Sequence, residues 1–355
     1  MKQIYTNVIQ FRGSHYDFGY MQGQHLKDSF LVQNRNRQWK VRIPRFQIDV
    51  EETKAIFKQL GSSVWGEMEG LRDALEWPME RVLLEFGGYR LKVQRSGCSI
   101  FVGKDYMIRN YDYHPKTYDG RYVVYQPTDH GYATIGVSQR VSGRCDGMNE
   151  KGLALGYTFI NRKRPGDGFV CHMVGRLALE LCANISEAVQ LLRELPHRGS
   201  FSYVLFDAKS DGAAVIVETS PRGVEVREGN TCTNHFEMMK KENRHFLDDS
   251  NKRLNAMNNK QNHDLSGLEA FRMLNDSNQD LFSNQYRNWA GTIHTSAYFP
   301  KSLASWLALG GDQKPTEFDF AEWLAGTGFS TEQIEGEVDT DIPFLHMEKA
   351  DWFKN

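Results

Sequence analysis

The sequence predicts an α+β layered sandwich. Blocks of short strand-like runs alternate with blocks of helical periodicity, and the first helical block gives way to the first strand block at residue 97. Blocks of strands separated by blocks of helices favour this class over a doubly wound parallel sheet, in which single strands and single helices alternate.

One strand-like run, Ile4 to Phe11, opens the chain. Helical periodicity follows over Asp17 to Leu31 and over Val50 to Leu91, the second with Val64, Met68, Leu71 and Leu75 on one face. Beyond residue 97 the runs Ser99 to Val102, Tyr106 to Arg109, Arg121 to Tyr125, Tyr132 to Val137, Asp146 to Asn149 and Leu153 to Phe159 are broken by turn residues and read as antiparallel meanders. Two helices come next. One covers Phe169 to Cys182; the other starts at Ser186, read as its N-cap, and buries Ala188, Val189, Leu192 and Leu195. Strands resume at Tyr203 to Phe206, Ala213 to Glu218 and Val224 to Arg227, joined by turns at Ser210-Asp211-Gly212 and Ser220-Pro221-Arg222-Gly223. The polar stretch from Lys240 to Asn288 reads as helix over Glu242 to Met257 and Leu268 to Leu274, and Thr292 to Tyr298 as a late strand. No repeat and no Pro/Gly/Ser linker divides the chain, so residues 1–97 and 98–355 are expected to pack as one unit.

Composition excludes several function classes. The 355 residues are 40% hydrophobic and 25% charged, enough for a large core, and 43 basic against 45 acidic residues give a net charge of −2. No basic run could track phosphates, so nucleic acid is not an expected partner. The N-terminal MKQIYTNVIQFRG has no apolar signal region and no stretch approaches the roughly 18 apolar residues of a membrane span, so no membrane partner and a cytoplasmic location are expected. Self-association into a homo-oligomer is left open. The five cysteines, Cys98, Cys145, Cys171, Cys182 and Cys232, are odd in number and show neither CxxC nor zinc spacing. No disulfide framework, metal or cofactor is expected. Cys182 lies on an apolar stripe with Val170, Met173, Val174, Leu177, Ala178 and Leu181, and Cys145, Cys171 and Cys232 are read as core residues in the same way. Phosphate-binding glycine loops, HExxH and GxSxG are all absent.

What remains is Gly97-Cys98, with Arg109-Asn110-Tyr111-Asp112 following eleven residues after the cysteine. Cutting the 97–98 bond would give Cys98 a free α-amine beside its own thiol, a nucleophile and a base within one residue. The amine titrates near about 7.8 and the thiol near about 8.5, so a proton passes between them with little penalty.

Four motifs in order, Gly97-Cys98-Ser99, Arg109-Asn110-Tyr111-Asp112, Asn149-Glu150-Lys151-Gly152-Leu153 and Thr233-Asn234-His235-Phe236, resemble those of the choloylglycine hydrolase and penicillin acylase group of N-terminal-nucleophile hydrolases. The first segment, with Gly13-Ser14-His15-Tyr16-Asp17-Phe18-Gly19 and Glu67-Met68-Glu69-Gly70-Leu71, resembles the pro-segment of the acyl-CoA:6-aminopenicillanate acyltransferase branch. The resemblance implies a four-layer αββα sandwich of two antiparallel sheets, a helical pro-segment over 1–97, a catalytic segment over 98–355, and self-cleavage at Gly97-Cys98. It implies catalytic roles for Cys98, for Arg109 beside the sulfur, for Asp112 holding the α-amine, for Asn234 as a donor to the scissile carbonyl, worth about 3 kcal/mol, and for Arg253 in Ser250-Asn251-Lys252-Arg253. Asn149 and Gly152 are read as hairpin residues. Tyr157 and Thr158 stand where relatives place a second oxyanion donor and are read as substrate-binding. The implied reaction is hydrolysis of a linear amide C–N bond in a small-molecule amide or acyl substrate through a Cys98 thioester, with acyl transfer to an amine or thiol as the alternative. Two other readings stay open: an unprocessed pseudoenzyme or binding protein, and a papain-like hydrolase pairing Cys98 with His114, His172 or His235.

Overall fold

The computed structural model of the chain describes residues 1–42, 48–91, 97–160, 165–243, 247–261, 264–288 and 290–350, and the side chains of all of these except 37–42. The strand β1 (Lys2–Gly13) leads into helices α1 (His15–Leu26), α2 (Phe30–Arg42), α3 (Val50–Leu60), α4 (Ser62–Leu75) and α5 (Met79–Glu85). The two long helical stretches expected here are each broken. Gly61 separates α3 from α4, and Glu76, in the left-handed region at φ 56°, ends α4 before Pro78 starts α5. Then come β2 (Gly97–Val102), β3 (Met107–Tyr113), β4 (Arg121–Pro127), β5 (Thr134–Gln139), β6 (Gly143–Asn149) and β7 (Leu153–Phe159), followed by α6 (Cys171–Leu181) and α7 (Ile185–Glu194). The cap of α7 is Asn184, whose side chain accepts from the Glu187 amide, and not Ser186, which lies inside the first turn.

The strands β8 (Phe201–Asp207), β9 (Val215–Ser220), β10 (Gly223–Glu228) and β11 (Thr231–Cys232) precede α8 (Asp248–Gln261) and α9 (Gly267–Asn275). Of the helix expected over 242–257, residues 248–257 form in α8, whereas Glu242 ends a 3-10 turn (Lys240–Glu242), Asn243 is extended, and residues 244–246 lie outside the described residues. The chain closes with β12 (Asn284–Gln285), β13 (Ala290–Phe299), β14 (Ala304–Gly310), β15 (Thr316–Asp319), α10 (Phe320–Leu324) and β16 (Gln333–Val338).

The hydrogen-bonded order is β10-β9-β8-β7-β6-β5-β4-β1-β16-β14-β13-β3-β2-β11. From β4 to β10 each strand pairs antiparallel with the next, through short turns except between β7 and β8, where α6 and α7 make the connection. The two expected sheets are thus halves of one sheet, joined through β1 and β16, with parallel pairings at β1–β4 and β14–β16. The halves face one another. A Cβ on Gly156 of β7 would meet Arg109 Cδ at 3.1 Å and Ile100 Cδ1 at 3.2 Å, across the interior. Ile100, Met107, Met148, Val204 and Ile216 fill the space between the halves. Leu71, Met173 and Leu177 pack outside one half on Leu155 and Tyr203, and Met257 and Phe271 pack outside the other on Phe101 and Ile108. This gives four layers, helix, sheet, sheet, helix, in an α+β chain. Among the described residues no helix is long and apolar enough to cross a membrane.

Helices α1 and α4 cross at backbone contact. A Cβ on Gly19 would lie 2.1 Å from Glu67 O, and one on Gly70 2.1 Å from Tyr16 O, so only glycine fits at either place. The crossing brings His15 and Glu67 into the buried layer beneath α6.

Candidate active site

Strands β2 and β3 are buried on both faces, so the polar residues they carry must find partners inside the protein. In their antiparallel register Gly97 stands opposite Asp112 and Cys98 opposite Tyr111. Strand β11 pairs on the other edge of β2, Cys232 opposite Ile100, which carries Asn234 up to the start of β2. In α8 the buried residues Ser250, Arg253, Leu254 and Met257 follow helical spacing, and that face delivers Ser250 and Arg253 to β2 and Asn234.

Cys98 is fully buried. Its sulfur accepts from Arg109 Nη2 at 3.3 Å, and its backbone N–H donates to Asn234 Oδ1 at 2.8 Å. Arg253 donates to Cys98 O (2.7 Å), Ser99 Oγ (2.9 Å) and Asn234 Oδ1 (2.9 Å), and pairs with Asp249 at 2.9 Å. Because Asn234 Oδ1 receives two N–H donors, its amide orientation is set, and Nδ2 donates to Phe159 O at 2.8 Å. The Asn234 backbone N–H donates to Ser250 Oγ at 2.8 Å. With the 97–98 bond intact, Asn234 therefore grips the nitrogen of Cys98 through its oxygen.

Asp112 accepts from Thr292 Oγ1 at 2.7 Å, and a Cβ on Gly97 would sit 3.4 Å from its Oδ2. Burial pushes the Asp112 carboxyl up to about 6, with Arg253 and Thr292 opposing only in part. The Cys98 thiol is likewise pushed up by burial, against the pull of Arg109. Arg109 and Asp112 do not pair with each other. Arg109 points into the interior and pairs with Asp146 of β6, a residue 37 positions on that the sequence reading placed in a strand without a role. An aspartate between a cysteine and a glycine reads locally as a turn former; its one distinguishing signal was its place inside a strand-like run.

Thr158 donates to Thr233 O at 2.7 Å, bracing the segment that carries Asn234. The Tyr157 side chain lies on the helix-facing side of β7, its hydroxyl bonded to Gln139 and its ring edge-on to Phe201 and Tyr203, while its carbonyl accepts from Arg109 Nη2 at 2.8 Å. Neither hydroxyl is turned to the Cys98 sulfur. Asn149 accepts from the Lys151 and Leu153 amides (both 3.0 Å) and shapes the hairpin from β6 to β7. Of the three histidines weighed as bases, His114 accepts from the Lys116 amide, His235 bonds Ser250 Oγ at 2.8 Å, and His172 is buried with its Nε2 unpaired; none has a hydrogen bond to Cys98. All five cysteines are free and buried, and among the described residues no group of three His, Cys, Asp or Glu could hold a metal ion.

Residues 101–314, more than half of the chain, match the model of the acyl-coenzyme A:6-aminopenicillanic acid acyl-transferase family, and the chain belongs to that family. The match spans Arg109, Asp112, Asn234 and Arg253 and begins three residues after Cys98. No curated protein matches the chain. Among solved structures it is similar to penicillin V acylase from Agrobacterium tumefaciens, at 14% identity over 64% of this chain and 86% of that one, with a TM-score of 0.45. A mutant of the conjugated bile acid hydrolase from Clostridium perfringens matches at 12% identity over 63% and 93%, TM-score 0.44. The N-acylethanolamine-hydrolyzing acid amidase ortholog of Caenorhabditis elegans matches at 12% over 57% and 93%, TM-score 0.39.

Proposed function

We propose that the chain is a self-processing amidohydrolase whose nucleophile is Cys98. The observation that carries this reading is the convergence of Arg109 on the sulfur, Asn234 and Arg253 on the backbone of the same residue, and Asp112 opposite Gly97. In the cut, Cys98 Sγ adds to the Gly97 carbonyl carbon, the 97–98 C–N bond breaks to a thioester, and the departing nitrogen takes a proton to become the α-amine. Asp112, with its carboxyl near pH 6, is poised to carry that proton at neutral pH. Water then hydrolyses the thioester, freeing the Gly97 carboxylate and the Cys98 thiol. In turnover the new amine takes the thiol proton, the thiolate adds to an amide carbonyl, and the amine returns the proton to the leaving nitrogen. Arg253 holds the Cys98 carbonyl, and Asn234 Oδ1 holds the amine it already grips as an amide. The substrate is a small-molecule amide, and the site of action cytoplasmic.

The test is intact mass of purified wild type beside Cys98→Ala. Wild type should yield fragments 1–97 and 98–355, the larger beginning Cys-Ser-Ile-Phe, whereas Cys98→Ala should stay one polypeptide of 40.9 kDa and turn over no amide. Wild type that stays whole yet hydrolyses amides sinks the mechanism. The name of the matched family favours a second reading, acyl transfer: the thioester would then partition to an added amine rather than to water, which product analysis with and without that amine decides.

A further inference from the structure

The contacts of Arg109 are divided between two ends of its guanidinium. Nη2 donates to Cys98 Sγ and Tyr157 O, while Nη1 donates to Cys145 O at 3.1 Å and to Asp146 Oδ2. Asp146 is itself held from β13: His294 Nε2 lies 3.3 Å from Oδ2, and the Tyr298 hydroxyl donates to Oδ1. All of these side chains are fully buried, in the interior between the sheet halves. An ionised carboxylate only accepts, so His294 carries its proton on Nε2, consistent with its unpaired Nδ1. Three donors on one carboxylate keep Asp146 charged well below the usual range despite its burial.

We propose that Asp146 is a positioning residue for the chemistry at Cys98: gripped by His294 and Tyr298, it fixes Arg109 Nη2 against the sulfur and offsets part of the guanidinium charge there. The proposal rests on the reading of Cys98 as the nucleophile. It has a physical logic. An arginine alone beside a buried thiol would form a tight thiolate ion pair, a stable but weaker nucleophile; a carboxylate on the far side of the arginine keeps the sulfur protonated until a base removes the proton. The charged and titratable groups whose fields reach the sulfur are Arg109, Tyr111 and Asp112 from β3, Arg253 from α8 and Cys171 from α6; of these Arg109 bonds it, and Asp146 bonds Arg109.

The experiment titrates the Cys98 thiolate by its ultraviolet absorbance in the full chain, subtracting the same protein carrying Cys98→Ser. Asp146→Asn keeps an acceptor for Arg109 and removes the charge, so thiolate at a given pH should rise about tenfold, a downward shift of about one pKa unit, and the acid limb of kcat/KM should move the same way. Tyr298→Phe removes a donor from the carboxylate, throws more of its charge onto Arg109, and should shift the titration a smaller amount upward. Opposite signs from two substitutions on one carboxylate are not what a merely structural residue produces. An unmoved or raised titration in Asp146→Asn, with a cooperative melt retained, overturns the proposal; if that variant does not fold, a Tyr298→Phe titration that fails to rise overturns it instead. Turnover that survives Cys98→Ala would sink the nucleophile reading and leave the titration to judge Asp146 separately.

Discussion

Two buried carboxylic acids, one on helix α6 outside one half of the sheet and one on strand β3 of the other half, behave in opposite ways. Glu180 of α6 meets Arg176 and lies 3.2 Å from His15, and Arg176 also meets Glu67 at 2.8 Å. Burial pushes Glu180 up, but Arg176 and His15 outweigh it and bring the carboxyl down to about 2. Asp112 is buried as deeply and has a threonine hydroxyl for a partner, and it rises to about 6. The first is a structural ion cluster whose charges are matched, and it joins segment 1–97 to segment 98–355. The second is a carboxyl whose charge is left unmatched next to a peptide bond, the condition under which an acid can exchange a proton near neutral pH.

The comparison breaks most directly at Arg176. Arg176→Met strands Glu67 without its cation and leaves Glu180 with His15, and should cost about 3–5 kcal/mol in urea unfolding; a loss below about 1 kcal/mol would show that the cluster is not what joins the segments. Asp112→Asn sharpens the contrast, measured in the Cys98→Ala background so that the 97–98 bond stays intact. The folded chain binds the Asp112 proton more tightly than the unfolded chain, so stability present at low pH is lost as pH rises from about 4 through about 6. Asn carries no charge, so the variant should be more stable than its parent above pH 7 by about 2–3 kcal/mol, with the gain vanishing near pH 4. The smallest effect is expected at His15. Burial draws its pKa down, but Glu180 and Glu67 raise it on balance, so its contribution is full below the unfolded value of 6.5 and fades as pH climbs through the raised one. His15→Gln should flatten that slope by about 1 kcal/mol between pH 6 and pH 8, read from melts across the range.

Much of this arrangement was legible in the residue order. The hairpins from β4 to β7 and from β8 to β10 follow from turn residues between short apolar runs, and the structure brings Cys98, Arg109, Asn234 and Arg253 together, with Asn234 turned so that its oxygen accepts from the Cys98 nitrogen. The breaks at Gly61 and Glu76 were not, because each sits inside a stretch whose apolar spacing stays in phase across it. Strand β16 escaped notice because only Ile334 and Val338 of its six residues are buried, too few to show a pattern. Asp146 escaped for another reason: its partners Arg109, His294 and Tyr298 come from strands far apart in the chain, a meeting that only the folded sheet brings about. The Gly19 and Gly70 motifs announced themselves by resemblance, and their meaning is steric, a helix crossing that leaves no room for a methyl group.

The twelve-residue β1 has neighbours on both edges, β4 on one side and β16 on the other. Severing the chain at Gly97-Cys98 would leave that seam sewn. To depart, the shorter piece would have to unzip two ladders at once and open the interior to water, so dilution or salt should not part the pieces, and only denaturant should. Gel filtration would then see one particle where a denaturing gel sees two bands. The cut would alter which atoms are chain ends without altering which strands are neighbours.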